Sequence, residues 1–440
     1  MISSLLIANR GEIAVRIVRA CKELGIRSVV VFSEADRSSL AVRLADEAVC
    51  VGPSPARDSY LRQERLISAA VLKGCDAVHP GVGFLSEKAE FARRVTEAGL
   101  TFVGPDAETI ALLGDKVAAK RVAAENRVPV IPGSAGSLED VGEATRAAAG
   151  MGFPVIIKAA AGGGGKGMRV VRAEEEFERI LRVAAHEAES AFSDGTVYLE
   201  KYLTNPRHVE IQVLADAHGN VIHLGERDCS VQLRHQKLIE ESPSAAITPE
   251  MRERMGGAAV QLFEAVGYVG AGTVEFLVHD GNFYFMEVNA RVQVEHPVTE
   301  LVTGVDIIHE QLRAAAGEEL TVTQAEVHVR GYAVECRINA TAPGTVMRYL
   351  PPGGYGVRMD SFLYTGYQVP PHYDALVGKL LCWGRTREEG IRRMIRALEE
   401  LEIEGLPTNT EEQLRILRDE RFRRGDYGTA FMTEIETEVA

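Results

Sequence analysis

Six cysteines in 440 residues, none of them in a Cys-x-x-Cys pair, leave little material for a disulfide framework or a thiolate metal site. Cys21, Cys50, Cys75, Cys229, Cys336 and Cys382 are scattered among mostly apolar neighbours, which predicts reduced core thiols in a cytoplasmic protein. Positive charge is also short. With 49 Lys and Arg against 63 Asp and Glu the formal charge is −14, so there is no basic footprint for nucleic acid or an anionic membrane. No apolar run approaches the roughly 18 residues of a membrane span. The start, Met1-Ile2-Ser3-Ser4, lacks a basic n-region and passes at once into a strand-like segment, which predicts no signal peptide. Glycine is missing where a dinucleotide fold would need it: Asn9-Arg10-Gly11-Glu12-Ile13-Ala14 follows the first strand with one glycine in place of three, which excludes a nicotinamide dehydrogenase. What remains is a soluble composition, 46% hydrophobic and 25% charged, long enough for two or three domains.

From the N-terminus, strand signals over 5–9, 29–32, 48–51, 77–79 and 101–103 alternate with helical signals over 13–24, 60–72 and 87–98. That rhythm predicts a parallel sheet. The run from His79 through Pro80-Gly81-Val82-Gly83-Phe84-Leu85-Ser86 to Glu87 leaves a strand end, where such sheets place ligand-facing loops. A second α/β unit is expected from about residue 114, with a helix from Asp115 and a strand over 154–158. That strand runs into Ala161-Gly162-Gly163-Gly164-Gly165-Lys166-Gly167-Met168. Consecutive glycines let backbone N–H groups converge on an anion, and Lys158 and Lys166 add charge, so a phosphate-binding flap explains lysines that a bare hairpin tip does not. Strands flank the loop on both sides and Gly-Lys-Ser/Thr is absent, so it is not a Walker motif. Strands over 197–202 and 208–214, a helix after Val305 to about Ala316 and a strand over 327–339 complete the central part and open a C-terminal α+β portion.

Between Thr273 and Thr299 charge sits where a strand should be apolar. Segments 274–278 and 283–288 are β-branched and aromatic, and Asp280-Gly281-Asn282 reads as a three-residue hairpin loop that puts Glu275 opposite Glu287. Like charges so opposed need something positive between them. With Asn289 the two glutamates offer only oxygen, the donor set of a hard cation, and Mg²⁺ that shares its shell with phosphates fits. Solvent-facing acids on an ordinary hairpin would explain Glu275 and Glu287 but not the polar run that continues to Pro297. If the extended backbone continues, Glu287, Asn289, Arg291, Gln293 and Glu295 share a face.

Together, Lys116, Lys158 with the glycine loop, Glu200-Lys201-Tyr202-Leu203, Lys237 and the set Glu275, Glu287 and Asn289 resemble an ATP-grasp enzyme. Ala8-Asn9-Arg10-Gly11-Glu12-Ile13-Ala14, His79-Pro80-Gly81, the run Arg291-Val292-Gln293-Val294-Glu295-His296-Pro297-Val298-Thr299-Glu300 and Glu335-Cys336-Arg337-Ile338-Asn339-Ala340 narrow the resemblance to biotin carboxylases, over nearly the whole chain. Two departures stand out: Val82 lies where that family usually has Tyr, and the segment over 340–349 is shorter than the family's. Carbamoyl phosphate and purine-pathway ligases would keep the metal set without the run from Arg291 to Glu300. A nucleotide-sensing module would lose Lys237, Arg291 and Glu295.

The resemblance implies a mixed α/β and α+β architecture: an N-terminal Rossmann-like parallel sheet over 1–113, a central ATP-grasp domain over 114–317 with a mobile lid from about 130 to 203, and a C-terminal α+β domain over 326–440. It implies ATP-dependent carboxylation of biotin through carboxyphosphate. ATP would lie on Lys116, Lys158, Gly164, Gly165, Glu200, Lys201, Tyr202, Leu203, His208, Gln232 and His235, and Mg²⁺ or Mn²⁺ on Glu275, Glu287 and Asn289. Lys237 and Arg291 with the Val294 backbone would hold bicarbonate, Glu295 would remove its proton, and Arg358 would stabilise the ureido oxygen of biotin. Bicarbonate is a small planar anion and a poor nucleophile, so the chemistry itself asks for a bidentate clamp and a base, which Arg291 and Glu295 can supply. None of the ten methionines is followed by lysine, the family's usual biotin attachment pair. Biotin is therefore expected on a separate biotin carboxyl carrier protein, with separate carboxyltransferase subunits, an acyl-CoA such as acetyl-CoA as final acceptor, and a homodimer of this chain.

Overall fold

The computed structural model describes residues 2–134, 138, 141–159, 167–192, 194–234 and 236–439. Gly164, Gly165, Lys166 and His235 lie outside the described residues. Five parallel strands open the chain, in the order Glu47–Gly52, Arg27–Ser33, Ser4–Ile7, Ala77–His79, Thr101–Phe102. The order reverses at the seam between Ser4–Ile7 and Ala77–His79, so the loops leaving those strands diverge and open a crevice. Asn9 bridges it, its Nδ2 donating to the carbonyls of Pro80 at 2.7 Å and Val82 at 2.8 Å. The loop that follows His79 is thereby held over the sheet's C-terminal edge.

Helices match their sequence signals with shifted ends. The first runs over Gly11–Leu24 and stops at Gly25, whose φ of 71° suits glycine and turns its N–H back to the Cys21 and Lys22 carbonyls. The signal over 60–72 becomes Gln63–Leu72, because Tyr60 is buried and donates its hydroxyl to Asp36 instead of joining the helix. Asp115 caps Lys116–Glu125, its Oδ1 accepting from the N–H groups of Val117 and Ala118.

A small layer follows. Strands Met168–Val171, Val155–Ala159 and Val197–Lys201 pair antiparallel and are covered by the helices Val141–Met151 and Glu174–Phe192. Ala144, Ala148, Ile157, Phe177, Leu181 and Leu199 form a core of their own, separate from the two large ones.

The largest sheet is antiparallel, with eight strands in the order Asn282–Asn289, Gly270–His279, Arg207–Ala215, Val221–Leu233, Gln236–Ser242, Tyr332–Asn339, Leu376–Gly384, Val357–Ser361. Strands that the sequence suggests as a separate C-terminal sheet thus extend the central one, through pairs such as Ile239 with Cys336. Without them Gln236–Ser242 would present a long unpaired edge. The strand expected from residue 327 begins at Tyr332, just after Gly331 at φ 73°. All six cysteines are free; five are buried and Cys50 is exposed. Among the described residues no helix is long and apolar enough to cross a membrane.

Candidate active site

A cavity of about 1230 Å³ lies between the small layer and the large sheet. Its floor is the acidic hairpin. Glu275 does face Glu287, but by a different route from the expected loop: Asp280 and Gly281 form a two-residue turn at φ 48° and 71°, and a bulge at Met286 restores the register. Glu275 is fully ringed by donors. Its Oε2 meets His208 Nε2 at 2.8 Å, and its Oε1 accepts from Lys237 at 3.0 Å, Asn289 Nδ2 at 2.9 Å and Gln293 Nε2 at 3.1 Å. Glu287 pairs with Lys116 at 2.8 Å. Burial raises the Glu275 carboxyl, but Lys237 and His208 outweigh it and hold it well below the usual range. Glu275, Glu287 and Asn289 all line the cavity and present oxygen, a donor set that fits Mg²⁺ or Mn²⁺ once lysines turn to phosphate.

The extended backbone ends at Asn289, yet the residues beyond it still converge. Arg291 donates from Nη2 to Asn289 Oδ1 and from Nη1 to Gln293 Oε1, while its Nε reaches Glu87 at 2.9 Å. Glu87 belongs to the loop after His79, so the N-terminal sheet pins this arginine. Glu295, 0% exposed, stands at the start of the helix His296–Thr303. Its Oε1 accepts from Lys237 at 2.6 Å and its Oε2 from Arg337 Nη2 at 2.9 Å. Burial pushes its carboxyl up, but Lys237, Arg337 and Arg227 together prevail and hold it well below the usual range. The Val294 carbonyl between these groups accepts from the buried Lys379 at 2.7 Å.

The opposite wall belongs to the small layer. Glu200, buried, binds Lys120 at 2.8 Å and Lys158 at 2.5 Å, and both lysines line the cavity. Lys201, Tyr202 and Leu203 follow along the same wall, with the Lys201 ammonium on the Gly152 carbonyl. Gln232 Nε2 meets His208 Nδ1 at 2.6 Å, so this pair reaches the cavity together.

One candidate from sequence lies elsewhere. Arg358 is not among the residues that line the cavity; it is bound to Glu300 at 2.7 Å and doubly to Asp360. Arg337, by contrast, reaches it. It lies in the cavity wall, one arm on Glu295, on the strand that carries the motif from Glu335 to Ala340. Its signal was there: Glu335 and Arg337 set charge within the β-strand Tyr332–Asn339, the same conflict that marks Glu275. Lys120, Glu87 and Glu210 were also missed. Glu210 is fully buried and joins Arg227 at 2.5 Å to Lys237 at 2.8 Å, which anchors the lysine from beneath.

Residues 1–110 match the family described as biotin carboxylase, N-terminal domain; 115–323 match the carbamoyl-phosphate synthase L chain, ATP binding domain; and 335–434 match the biotin carboxylase C-terminal domain. Biotin carboxylase 1 of Bacillus subtilis is 54% identical over 442 residues, covering 98% of each chain. The biotin carboxylase of Pseudomonas aeruginosa is 54% identical over 433 residues, which is 97% of this chain and 96% of its own. Among solved structures, the Campylobacter jejuni biotin carboxylase in a β,γ-ATP complex superposes with a TM-score of 0.94 at 45% identity, covering 99% of both chains. The biotin carboxylase domain dimer of Hydrogenobacter thermophilus 2-oxoglutarate carboxylase, solved with MgADP, ADP and bicarbonate, gives 0.92 at 47% identity, covering 99% of this chain and 98% of that one.

Proposed function

The chain belongs to the biotin carboxylase family of ATP-dependent ligases, and on that premise we propose that it carboxylates biotin in two steps within the one cavity. Bicarbonate, held by Lys237, Arg291 and the Val294 backbone, loses its proton to Glu295 and attacks the γ-phosphoryl of ATP to give carboxyphosphate. Its breakdown releases CO₂ and inorganic phosphate beside the ureido nitrogen of biotin; the phosphate takes that nitrogen's proton while Arg337 stabilises the ureido oxygen, and the nitrogen attacks CO₂. ATP lies against Lys116, Lys120, Lys158, the wall from Glu200 to Leu203, His208 and Gln232, with Gly164, Gly165 and His235 as further contacts. Glu275, Glu287 and Asn289 hold Mg²⁺ or Mn²⁺, which when bound offsets the phosphate charge.

The observation that carries this reading is Glu295: a fully buried carboxylate held between two cations, Lys237 and Arg337, that themselves line the cavity. The small layer, about 130 to 203, acts as the lid of an ATP-grasp domain over 114–317, between domains over 1–113 and 326–440. Biotin arrives on a separate carrier protein in the cytoplasm, separate carboxyltransferase subunits pass the carboxyl group to an acyl-CoA, and the chain works as a homodimer. Supplying ATP, Mg²⁺ and labelled bicarbonate with free biotin or a biotinylated carrier tests the reading. Label should appear on biotin only when ATP is present; label on this chain's own lysines, or on neither acceptor with an intact fold, would overturn it.

A further inference from the structure

Behind Arg337 the charge of the active site continues into the sheet. Glu240 on Gln236–Ser242 and Glu335 on Tyr332–Asn339 are directly opposite each other in the antiparallel register, and both are 0% exposed. Glu240 Oε1 accepts from Arg337 Nε at 2.6 Å. Its Oε2 has no partner, and neither oxygen of Glu335 has one. Two buried carboxylates at cross-strand distance cannot both be ionised without a cation between them.

The cations nearby are committed elsewhere. Arg337 sends its second arm to Glu295. Lys379 on the next strand pairs with Glu12 of the first helix at 3.1 Å and donates to Val294. Lys237 is shared by Glu210, Glu275 and Glu295, and Arg227 on Val221–Leu233 binds Glu210. From the helix His296–Thr303 come His296, which burial keeps neutral, and Glu300, which is already on Arg16 and Arg358. Arg358 and Asp360 on the outermost strand bind each other. Cys229 points to Glu295, and the helix Thr410–Arg418 contributes only the Gln413 amide, on the Leu238 and Arg337 carbonyls.

We propose that Glu240 and Glu335 hold one proton between them and that this pair positions the base, anchoring one arm of Arg337 so that the other stays on Glu295. The inference rests on the reading of Glu295 as that base. A neutral Glu335 can donate to the free Oε2 of Glu240, which satisfies oxygens otherwise orphaned, and leaves one negative charge to share Arg337 with Glu295. Burial acts in the same direction, pushing Glu240 up to about 7 and Glu335 well above the ordinary range. The sharing matters for rate. A guanidinium given wholly to Glu295 would weaken it as a base, and one drawn wholly to the pair would leave the ureido oxygen without its cation.

Infrared difference spectra and kinetics test this together. The wild type should show the C=O stretch of a protonated carboxyl at neutral pH, lost when the pH is raised and lost in Glu335→Gln. Glu240→Gln should lower kcat roughly tenfold while KM for MgATP moves less than about twofold, because the residues facing the nucleotide are untouched. No such band in the wild type, or a band that survives in Glu335→Gln, overturns the shared proton; a wild-type kcat in Glu240→Gln overturns the positioning role. If Glu240→Gln does not fold, the Glu335→Gln spectrum still decides. Glu295→Gln separates the two readings: it should keep the band and lose turnover, whereas turnover retained with the band behaving as stated removes the base and leaves the proton pair.

Discussion

On the proposed reading Glu295 acts as the base, and Lys237 and Arg337 hold it ionised at 0% exposure. Glu295→Gln should therefore keep KM for MgATP and lower kcat by roughly 10²-fold or more, the usual worth of a positioned proton acceptor, which steady-state kinetics would read. The two arginines separate in the same way. Arg337→Ala should abolish biotin carboxylation and also lower the melting temperature, because it strands the buried Glu240 and Glu295. Arg358→Ala strands Glu300 and Asp360, a loss of about 2–3 kcal/mol that a thermal melt would register, somewhat less than for a fully buried pair because Arg358 keeps some exposure. Glu275, Glu287 and Glu295 were legible because each sets charge against an apolar pattern within one short stretch. Arg337 and Arg358 were not distinguishable on that ground. Both sit on C-terminal strands, and which strand pairs with Gln236–Ser242 is decided by non-local pairing that local pattern does not encode.

At the scale of elements, the hairpin shows how one outcome can have two causes. The expected three-residue loop and the observed two-residue turn with a bulge both place Glu275 against Glu287, because one extra residue enters either the loop or the strand. Parallel strands and helices in the first third were readable from periodicity, since each is a local pattern with a cap or a glycine stop. The small layer from Val141 to Lys201 has its own core, and Lys158, Glu200 and Lys201 bring charge to the cavity wall. It should therefore close on nucleotide: hydrogen exchange in Val155–Ala159 and Met168–Val171 should slow when MgATP is added. Equal protection with and without nucleotide would remove the lid.

Across the whole molecule, one sheet joins the acidic hairpin to the strand that carries Arg337, so the groups proposed for both half-steps sit on one continuous framework. That continuity could not be read from the sequence: the resemblance implies a domain break between 317 and 326, while the pairing of Ile239 with Cys336 joins the strands on either side of it. The framework also carries a pH dependence. The Glu240–Glu335 pair keeps its shared proton toward neutral pH, with Glu240 pushed up to about 7, whereas unfolded glutamates lose theirs from about 4.5, so the folded state binds more protons in that window. This contribution falls as pH rises from 4.5 through 7, by on the order of 3 kcal/mol, and Glu240→Gln should flatten that slope in denaturant midpoints measured across the range.

The chemistry itself is tested most directly by following the oxygen of bicarbonate. With ¹⁸O-labelled bicarbonate, ATP, Mg²⁺ and biotin, attack on the γ-phosphoryl and breakdown of carboxyphosphate must leave one labelled oxygen in the inorganic phosphate released. Mass spectrometry of that phosphate should show a single ¹⁸O for each turnover. Phosphate carrying oxygen from water alone would contradict bicarbonate as the nucleophile.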